Sequence, residues 1–154
     1  MRTHIKKKTT ISSKDNLIFL CDKKSDISNF NLSNKEMQFL KSKLKSGEEI
    51  ININQYDRMI LIVAPKKEED KYKHNENVRL LGDKVLSNIS DLSSILVIDV
   101  EKNRKNALLL AEGIALGNYT YNKHKTDPSP NKLECIYLCK HAKKEDLEIL
   151  ENII

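Results

Sequence analysis

Hydrophobic and polar positions alternate along this chain in blocks that predict strands and helices in turn. Short apolar runs, which are typical of buried strands, occur at residues 17–21, 59–63, 95–100 and 133–138. The run at 95–100 is β-branched and apolar on both faces, so it is predicted to be the central strand. A weaker run at 5–10 carries lysines, which favour the edge of a sheet.

A hairpin is predicted where two apolar segments lie close in sequence. Residues 50–53 and 59–63 are joined by a short connection that contains the turn residues Asn, Gln, Tyr and Asp at 54–57. A connection this short favours antiparallel pairing. The predicted fold class is therefore α/β, with a mixed, mostly parallel sheet flanked by helices.

The first helix has recognisable start and stop signals. Ser33 and Glu36 stand at the spacing of a capping box, in which each side chain binds an exposed backbone N–H of the first turn. Gly47 is placed to end the helix. The apolar positions between them follow helical spacing: Met37, Leu40 and Leu44.

Two longer helices are predicted from their apolar faces. One follows a charged loop at 66–73 and is marked by residues at helical spacing: Val78, Leu81, Val85 and Ile89. The other runs from about 103 to 118 and is apolar nearly all round, which predicts burial on more than one side. A loop at 123–132 follows it, and a last helix is predicted over 143–154.

Glycines stand inside the helix predicted over 103–118. Gly113 and Gly117 are four residues apart, so they lie on one face. Because mid-helix glycine costs about 1 kcal/mol relative to alanine, the pair predicts close backbone approach to a strand or a neighbouring helix. Glu112 is the polar exception here, and two hypotheses apply to it. A solvent-facing or helix-end carboxylate is favoured, and a partner for a basic group across a domain contact is the alternative.

The charge of this chain is concentrated at its N-terminus. The net charge of the 154 residues is +5, and residues 1–14 carry five basic residues and no acidic one. The rest of the chain is therefore neutral overall. Only four of the 27 basic residues are arginine, the side chain best suited to phosphates and base edges. A solvated lysine-rich surface is thus favoured over a dedicated nucleic-acid site.

Cysteine usage and the apolar runs bear on compartment. Cys21, Cys135 and Cys139 are odd in number and have no CxxC spacing, which predicts reduced thiols. Cys135 and Cys139 would share a strand about 13 Å apart, too far for a disulfide. No apolar run approaches the roughly 20 residues of a membrane span, and no secretory signal is evident. A cytoplasmic protein without a membrane partner is predicted.

Motifs of catalysis and of metal binding are missing from the sequence. It contains no HExxH, GxSxG or Walker pattern. The histidines are at no metal-ligand spacing, and each is predicted in a loop or near a terminus: His4, His74, His124 and His141. No glycine falls between a strand and a helix, which counts against a phosphate-binding loop for a nucleotide or ADP-ribose. No catalytic residue, metal ligand or cofactor is predicted in this chain.

One segment of the sequence resembles a known family. It comprises Ala111, Glu112, Gly113, Gly117, Tyr119, Tyr121, Lys125 and Thr126. This pattern, together with Arg79-Leu80-Leu81-Gly82, resembles the N-terminal domain of the leucyl (cytosol) aminopeptidases. The resemblance extends over about 17–150 and implies a macro-domain-like fold. The chain departs from the family at Ala64-Pro65-Lys66, where a glycine-containing turn is common.

The resemblance implies a non-catalytic part of a hydrolase. Residues 1–142 would be the N-terminal domain, and 143–154 would begin the helix that leads to a catalytic domain absent from this chain. The family's metal motif, Asn-Thr-Asp-Ala-Glu-Gly-Arg, does not occur. Two divalent metals, zinc or manganese, are expected in the parent's catalytic domain, and this chain alone is predicted to be inactive. Its partners would be that domain and neighbouring subunits of a homo-hexamer, with peptide substrate met only through the parent.

Two other functions remain as hypotheses. A nucleic-acid-binding module, as in some bacterial relatives, would use the basic N-terminal segment and the loop at 123–132. Its candidate contacts are Lys6, Lys7, Lys8, Lys123, Lys125 and Lys132. A macro-domain-like binder of a small ligand ranks third, because the glycine-rich loop is missing.

Overall fold

In the described part of the chain, helices pack against a mixed six-stranded sheet. The computed structural model describes residues 3–8, 14–21, 32–55, 58–66, 68–89, 91–99, 104–124, 133–138 and 148. The elements in chain order are β1 His4–Lys7, β2 Leu17–Leu20, α1 Asn34–Lys45, β3 Ile50–Asn54, β4 Met59–Val63, α2 Lys71–Ile89, β5 Ser94–Asp99, α3 Arg104–His124 and β6 Cys135–Leu138. The predicted α/β class is confirmed.

The order of the strands across the sheet is β1-β6-β5-β2-β4-β3. All neighbouring strands run parallel except β3 and β4, which pair antiparallel as the predicted hairpin. β5 lies between β6 and β2, and β1 lies at an edge, so both of these predictions are confirmed. Strand β1 is shorter than predicted, since Thr9 and Thr10 lie outside the described residues.

Each face of the sheet carries its own apolar core. Alternate strand residues such as Ile18, Leu61 and Val97 are buried against α2 and α3. Their neighbours on the opposite face, such as Phe19 and Ile62, pack with residues of α1. This division follows from the strand period of two, which sends successive side chains to opposite faces.

The limits of α1 follow the sequence signals. Ser33 Oγ accepts from the Glu36 backbone N–H at 3.2 Å, and Glu36 Oε1 accepts from the Ser33 N–H at 2.9 Å. Gly47 follows the helix at φ 85°, a left-handed conformation that glycine adopts without strain. The predicted capping box and glycine stop are both confirmed.

The prediction of a charged loop over 66–73 was wrong for its last three residues, because α2 already begins at Lys71. Asp70 is the reason. Its Oδ1 accepts from the backbone N–H groups of Tyr72 and Lys73, at 2.9 and 3.3 Å, and so caps the helix. His74, predicted in a loop, therefore lies within α2.

The predicted end of the third helix at 118 was also wrong, because α3 continues to His124. Gly117 and Asn118 looked like a helix stop, but both face other parts of the fold. Gly117 packs against Asp83 of α2, and the Asn118 side chain reaches Thr3. The start of the loop predicted over 123–132 is thus helical, and 125–132 lie outside the described residues.

Several further predictions fall wholly or partly outside the description. These include Cys139 and nearly all of the helix predicted over 143–154, of which only Glu148 is described. Cys21 is buried, and Cys135, at the start of β6, is half-buried. Among the described helices, none combines the length and apolar character of a membrane span.

Candidate functional site

The two long helices α2 and α3 meet backbone to backbone at glycines. A Cβ atom on Gly82 of α2 would lie 2.6 Å from the carbonyl oxygen of Leu110 and 2.9 Å from the nitrogen of Ile114. A Cβ atom on Gly113 of α3 would overlap the backbone carbonyl of Arg79. Real side chains essentially never approach a backbone this closely. The predicted close approach is therefore confirmed, and its partner is a helix rather than a strand.

Gly117 extends this contact by one turn. A Cβ atom there would collide with the Asp83 carboxylate and would touch a methyl group of Leu86 at 3.5 Å. Gly113 and Gly117 thus form a shallow groove on α3 in which α2 lies. Because these glycines are one turn apart, the groove lies on a single face of α3.

An ion pair borders the glycine contact. Arg79 Nε lies 3.3 Å from Glu112 Oε2, and Arg79 Nη1 lies 3.6 Å from Glu76 Oε2. The side-chain Nε–H of Arg79 is buried and makes no hydrogen bond of acceptable geometry with the described residues. Its contact with Glu112 is therefore electrostatic. The favoured prediction of a solvent-facing or helix-end Glu112 was wrong, since Glu112 lies in the middle of α3 and only 15% of its side chain is exposed. Its basic partner lies in the same domain, because the helix crossing brings α2 over it.

The first turns of α2 and α3 are also joined. His74 Nε2 and Asn106 Oδ1 are 3.0 Å apart. Lys105 lies beside them on the surface. Its pKa is lowered, first by desolvation and then by the nearby positive charges of Lys71 and Arg79. The two helices are therefore held by polar contacts at their beginnings and by glycines further along.

A buried polar cluster ties the later part of α3 to the sheet edge. Asn118 Nδ2 donates to Thr3 Oγ1 at 2.7 Å and to the Leu133 carbonyl at 3.2 Å, and Thr3 Oγ1 donates to the same carbonyl at 3.4 Å. Asn118 is 1% exposed and Thr3 is 2% exposed. Asn118 Oδ1 has no hydrogen-bond partner in the described part of the chain. This cluster was missed at the sequence level.

The family-motif residues gather at the helix contact as far as they are described. Ala111 is fully buried, and Glu112, Gly113 and Gly117 form the contact with α2. Tyr119 and Tyr121 lie within α3. Lys125 and Thr126 lie outside the described residues.

The candidate nucleic-acid lysines are in different states. Lys6 and Lys7 are exposed on the edge strand β1. Lys8 Nζ instead binds both carboxylate oxygens of Asp15, at 2.8 and 2.9 Å, and stands 5.4 Å above the ring centre of Tyr137. Lys123 lies in α3, and the remaining candidates, Lys125 and Lys132, are outside the description.

Tyr137 lies on the same face of β6 as Cys135, two residues before it. The pKa of Tyr137 is raised, first by a hydrogen bond with the Cys135 side chain and then by the charge of that thiol and by desolvation. The nearby Lys8 ammonium acts in the opposite direction. Cys135, Tyr137, Lys8 and Asp15 therefore form one connected polar group near the edge of the sheet.

Metal-binding groups can be compared only within the described ranges. There, no three side chains of His, Cys, Asp or Glu come together as a metal site would require. In open α/β sheets, ligands commonly bind beyond the carboxyl ends of the strands. The segments that follow β1, β2, β5 and β6 there are largely outside the description: 9–13, 22–31, 100–103 and 139–147.

Comparison with solved structures finds chains of similar fold. The fold is similar to that of a leucine aminopeptidase from tomato. A mutant of that enzyme matches with a TM-score of 0.65 at 16% sequence identity. The match covers 99% of this chain and 36% of that chain, so the protein spans about a third of its neighbour's length. At this identity the likeness establishes a shared fold.

Comparisons of sequence add nothing to this result. No family model matches the chain, and no curated protein matches it. The comparisons therefore establish the fold of this chain.

Proposed function

We propose that this chain is the non-catalytic N-terminal domain of a two-metal leucyl aminopeptidase and serves the assembly or regulation of that enzyme. The observation that supports the proposal is the contact between α2 and α3. The two segments on which the sequence resemblance rests, one with Arg79 and Gly82 and the other with Glu112 and Gly113, form this contact together. The similarity of fold to tomato leucine aminopeptidase, over 99% of this chain, points the same way.

The parent enzyme would remove N-terminal residues from peptides. Its two zinc or manganese ions would supply an activated water and polarise the scissile carbonyl. The proposal assigns the ligands of these metals to the catalytic domain and none of them to this chain. The chain would therefore act on peptides only through a catalytic domain and through neighbouring subunits of a homo-hexamer.

A hydrolysis assay tests this proposal. The purified protein is incubated with leucine p-nitroanilide, with and without manganese or zinc, and release of the anilide is followed. Circular dichroism with and without a chelator reports folding in the same samples. The proposal predicts a folded protein in both conditions and no cleavage. Robust metal-dependent cleavage by this chain alone would refute it.

Nucleic-acid binding is kept as the second candidate because Lys6 and Lys7 are exposed next to each other on β1. The ion pair between Lys8 and Asp15 counts against it, since it removes one of the candidate charges. A phosphate contact by the exposed pair would depend steeply on salt concentration.

A further inference from the structure

The two edges of the sheet differ in their charge. Strand β1 at one edge exposes Lys6 and Lys7, and lysines on an edge strand discourage pairing with another chain. Strand β3 at the other edge has the sequence Ile-Ile-Asn-Ile-Asn, without any charge. In the part of the chain that is described, no strand pairs with the outer side of β3. Among the described residues, β3 is therefore an uncharged edge strand whose outer side is not paired with another strand.

The hydrogen bonds at the ends of the hairpin fix its pairing pattern. Gln55 and Arg58 exchange both backbone hydrogen bonds, at 2.9 and 3.3 Å. At the other end, the Ala64 N–H donates to the Glu49 carbonyl at 2.8 Å. In an antiparallel pair, every second residue of a strand bonds to its partner strand. The odd-numbered residues of this segment are therefore the ones that bond to β4.

The even-numbered residues must then direct their backbone groups outward. Ile51 and Ile53 lie opposite Ile62 and Ile60 and bond to β4, following the register. Ile50, Asn52 and Asn54 direct their N–H and C=O groups away from the sheet. Asn52 and Asn54 are exposed and Ile50 is half-buried. The outer edge thus presents a regular row of backbone donors and acceptors.

We propose that β3 pairs antiparallel with β3 of a second copy of this chain, about a two-fold axis at Asn52. In this register Asn52 faces Asn52 of the second copy, and Ile50 faces Asn54. Each facing pair exchanges two backbone hydrogen bonds, so the outward row of one copy satisfies that of the other. A two-fold interface requires a surface that is complementary to itself, and this edge meets that condition.

The side chains agree with the same register. Ile51 faces Ile53 of the second copy in a non-hydrogen-bonded pair, where Cα atoms are about 4.5 Å apart. Both side chains are apolar and are already buried in their own copy, so this pair opposes no charges. Glu49 faces Gln55 of the second copy. Arg58 lies directly behind that glutamine, with its Nε donating to Gln55 Oε1 at 3.0 Å. No like charges are therefore placed opposite each other at this position, and Glu49 Oε2 also accepts from the Lys66 N–H of its own copy at 3.2 Å.

Light scattering and sedimentation velocity over a range of concentrations test the pairing. The protein should form a dimer whose population rises with concentration. Asn52→Lys places two like charges directly opposite each other and should raise the dissociation constant of the dimer by about tenfold or more. Asn77→Lys, the same change on the exposed face of α2, should leave it unchanged. A monomer at all concentrations, or an equal response of both variants, would overturn the proposal.

A cysteine cross-link tests the register itself. Facing residues of a hydrogen-bonded pair have Cα atoms about 5.5 Å apart, within the range of a disulfide. Asn52→Cys should therefore oxidise to a covalent dimer, whereas Lys6→Cys on the opposite edge should not. Both variants keep the native cysteines, so any difference comes from the new thiol. Equal cross-linking of the two would overturn the register. The proposed pairing and the proposed aminopeptidase role can fail separately. A chain that proves monomeric in these tests could still be inactive on leucine p-nitroanilide, as the aminopeptidase role predicts.

Discussion

Gly113 of α3 lies directly against the backbone carbonyl of Arg79 in α2, with no space for a single additional carbon atom. The side chain of the same arginine is 3.3 Å from Glu112, the residue just before that glycine. Arg79 is thus contacted by α3 through both its main chain and its side chain. The segment with Arg79 and the segment with Glu112 and Gly113, on which the sequence resemblance rests, are therefore in direct contact in the fold.

Replacement of Gly113 by alanine should destabilise the protein. The added methyl group would overlap a backbone carbonyl that cannot rotate away, and overpacking of this kind costs about 1–3 kcal/mol. Alanine's better helix propensity, worth about 1 kcal/mol, offsets only part of this cost. Urea denaturation measures the free energy of unfolding. Asn77→Ala on the exposed face of α2 is the control and should be nearly neutral. A more stable Gly113→Ala variant would mean that the helices do not touch there.

The ion pair between Arg79 and Glu112 should be worth little, but it should be measurable. One partner is 37% exposed and the other 15%, and pairs near the surface contribute about 0.2–1 kcal/mol. A double-mutant cycle with Arg79→Gln and Glu112→Gln should give a coupling energy in that range, decreasing with salt. The same cycle with Glu76, which is 62% exposed and 3.6 Å away, should give less. Coupling that is larger for Glu76 would contradict this arrangement.

Asn118 should hold the edge strand β1 in place. Asn118→Ala leaves the Leu133 carbonyl with one long hydrogen bond and should lower the free energy of unfolding by about 1–3 kcal/mol. Thr3→Val should cost less, because Asn118 still donates to Leu133. Amide hydrogen exchange is the decisive readout, since the His4 amide donates to the Glu134 carbonyl at 2.8 Å. In the Asn118→Ala variant, the exchange rate at His4 should increase more than the exchange rates in β5. A uniform increase across the sheet would show only global destabilisation.

Tyr137 should titrate at higher pH than an ordinary tyrosine. Its pKa is raised from 10.0, chiefly through the hydrogen bond with Cys135. The stability linked to this raised pKa is complete below pH 10.0 and is lost as the pH rises through the folded-state pKa. Subtraction of the ultraviolet titration curve of the Tyr137→Phe variant from that of the wild type isolates the ionisation of Tyr137. Cys135→Ala should lower the pKa of Tyr137 towards 10.0, and an unchanged titration would exclude the thiol as the cause.

Binding of DNA, if it uses β1, should depend on Lys6 and Lys7. The double change to glutamine should weaken binding in low salt and should flatten its dependence on salt concentration, because fewer counterions are released. Lys41 and Lys84, which are exposed on α1 and α2, changed to glutamine together, form a control of equal charge. Fluorescence anisotropy with duplex DNA measures both effects. Absence of binding at low ionic strength would remove this function.

The periodic parts of the fold were predictable because their signals are local. The capping box at Ser33 and Glu36, the left-handed Gly47 and the short turn between β3 and β4 all act within a few residues. The glycine pair of α3 likewise predicted a close contact. Its partner could not be predicted, since the crossing of α2 over α3 depends on how both helices pack on the sheet.

Residues whose structural environment was predicted wrongly make contacts with parts of the chain that are distant in sequence. Gly117 and Asn118 resembled a helix stop, yet Asn118 binds Thr3, which is 115 residues away in sequence. Glu112 looked exposed because nothing local distinguishes a surface carboxylate from one covered by a neighbouring helix. Asp70 could have been recognised, since an aspartate before a helix is a common N-cap.

Purification of the protein from its own cells through an affinity tag tests the central claim most directly. The eluate is assayed for hydrolysis of leucine p-nitroanilide, with and without added manganese or zinc. If the chain is the non-catalytic domain of a two-metal aminopeptidase, the eluate should contain metal-dependent activity that the purified 154-residue chain lacks. An eluate that contains the intact chain and no aminopeptidase activity would contradict the account.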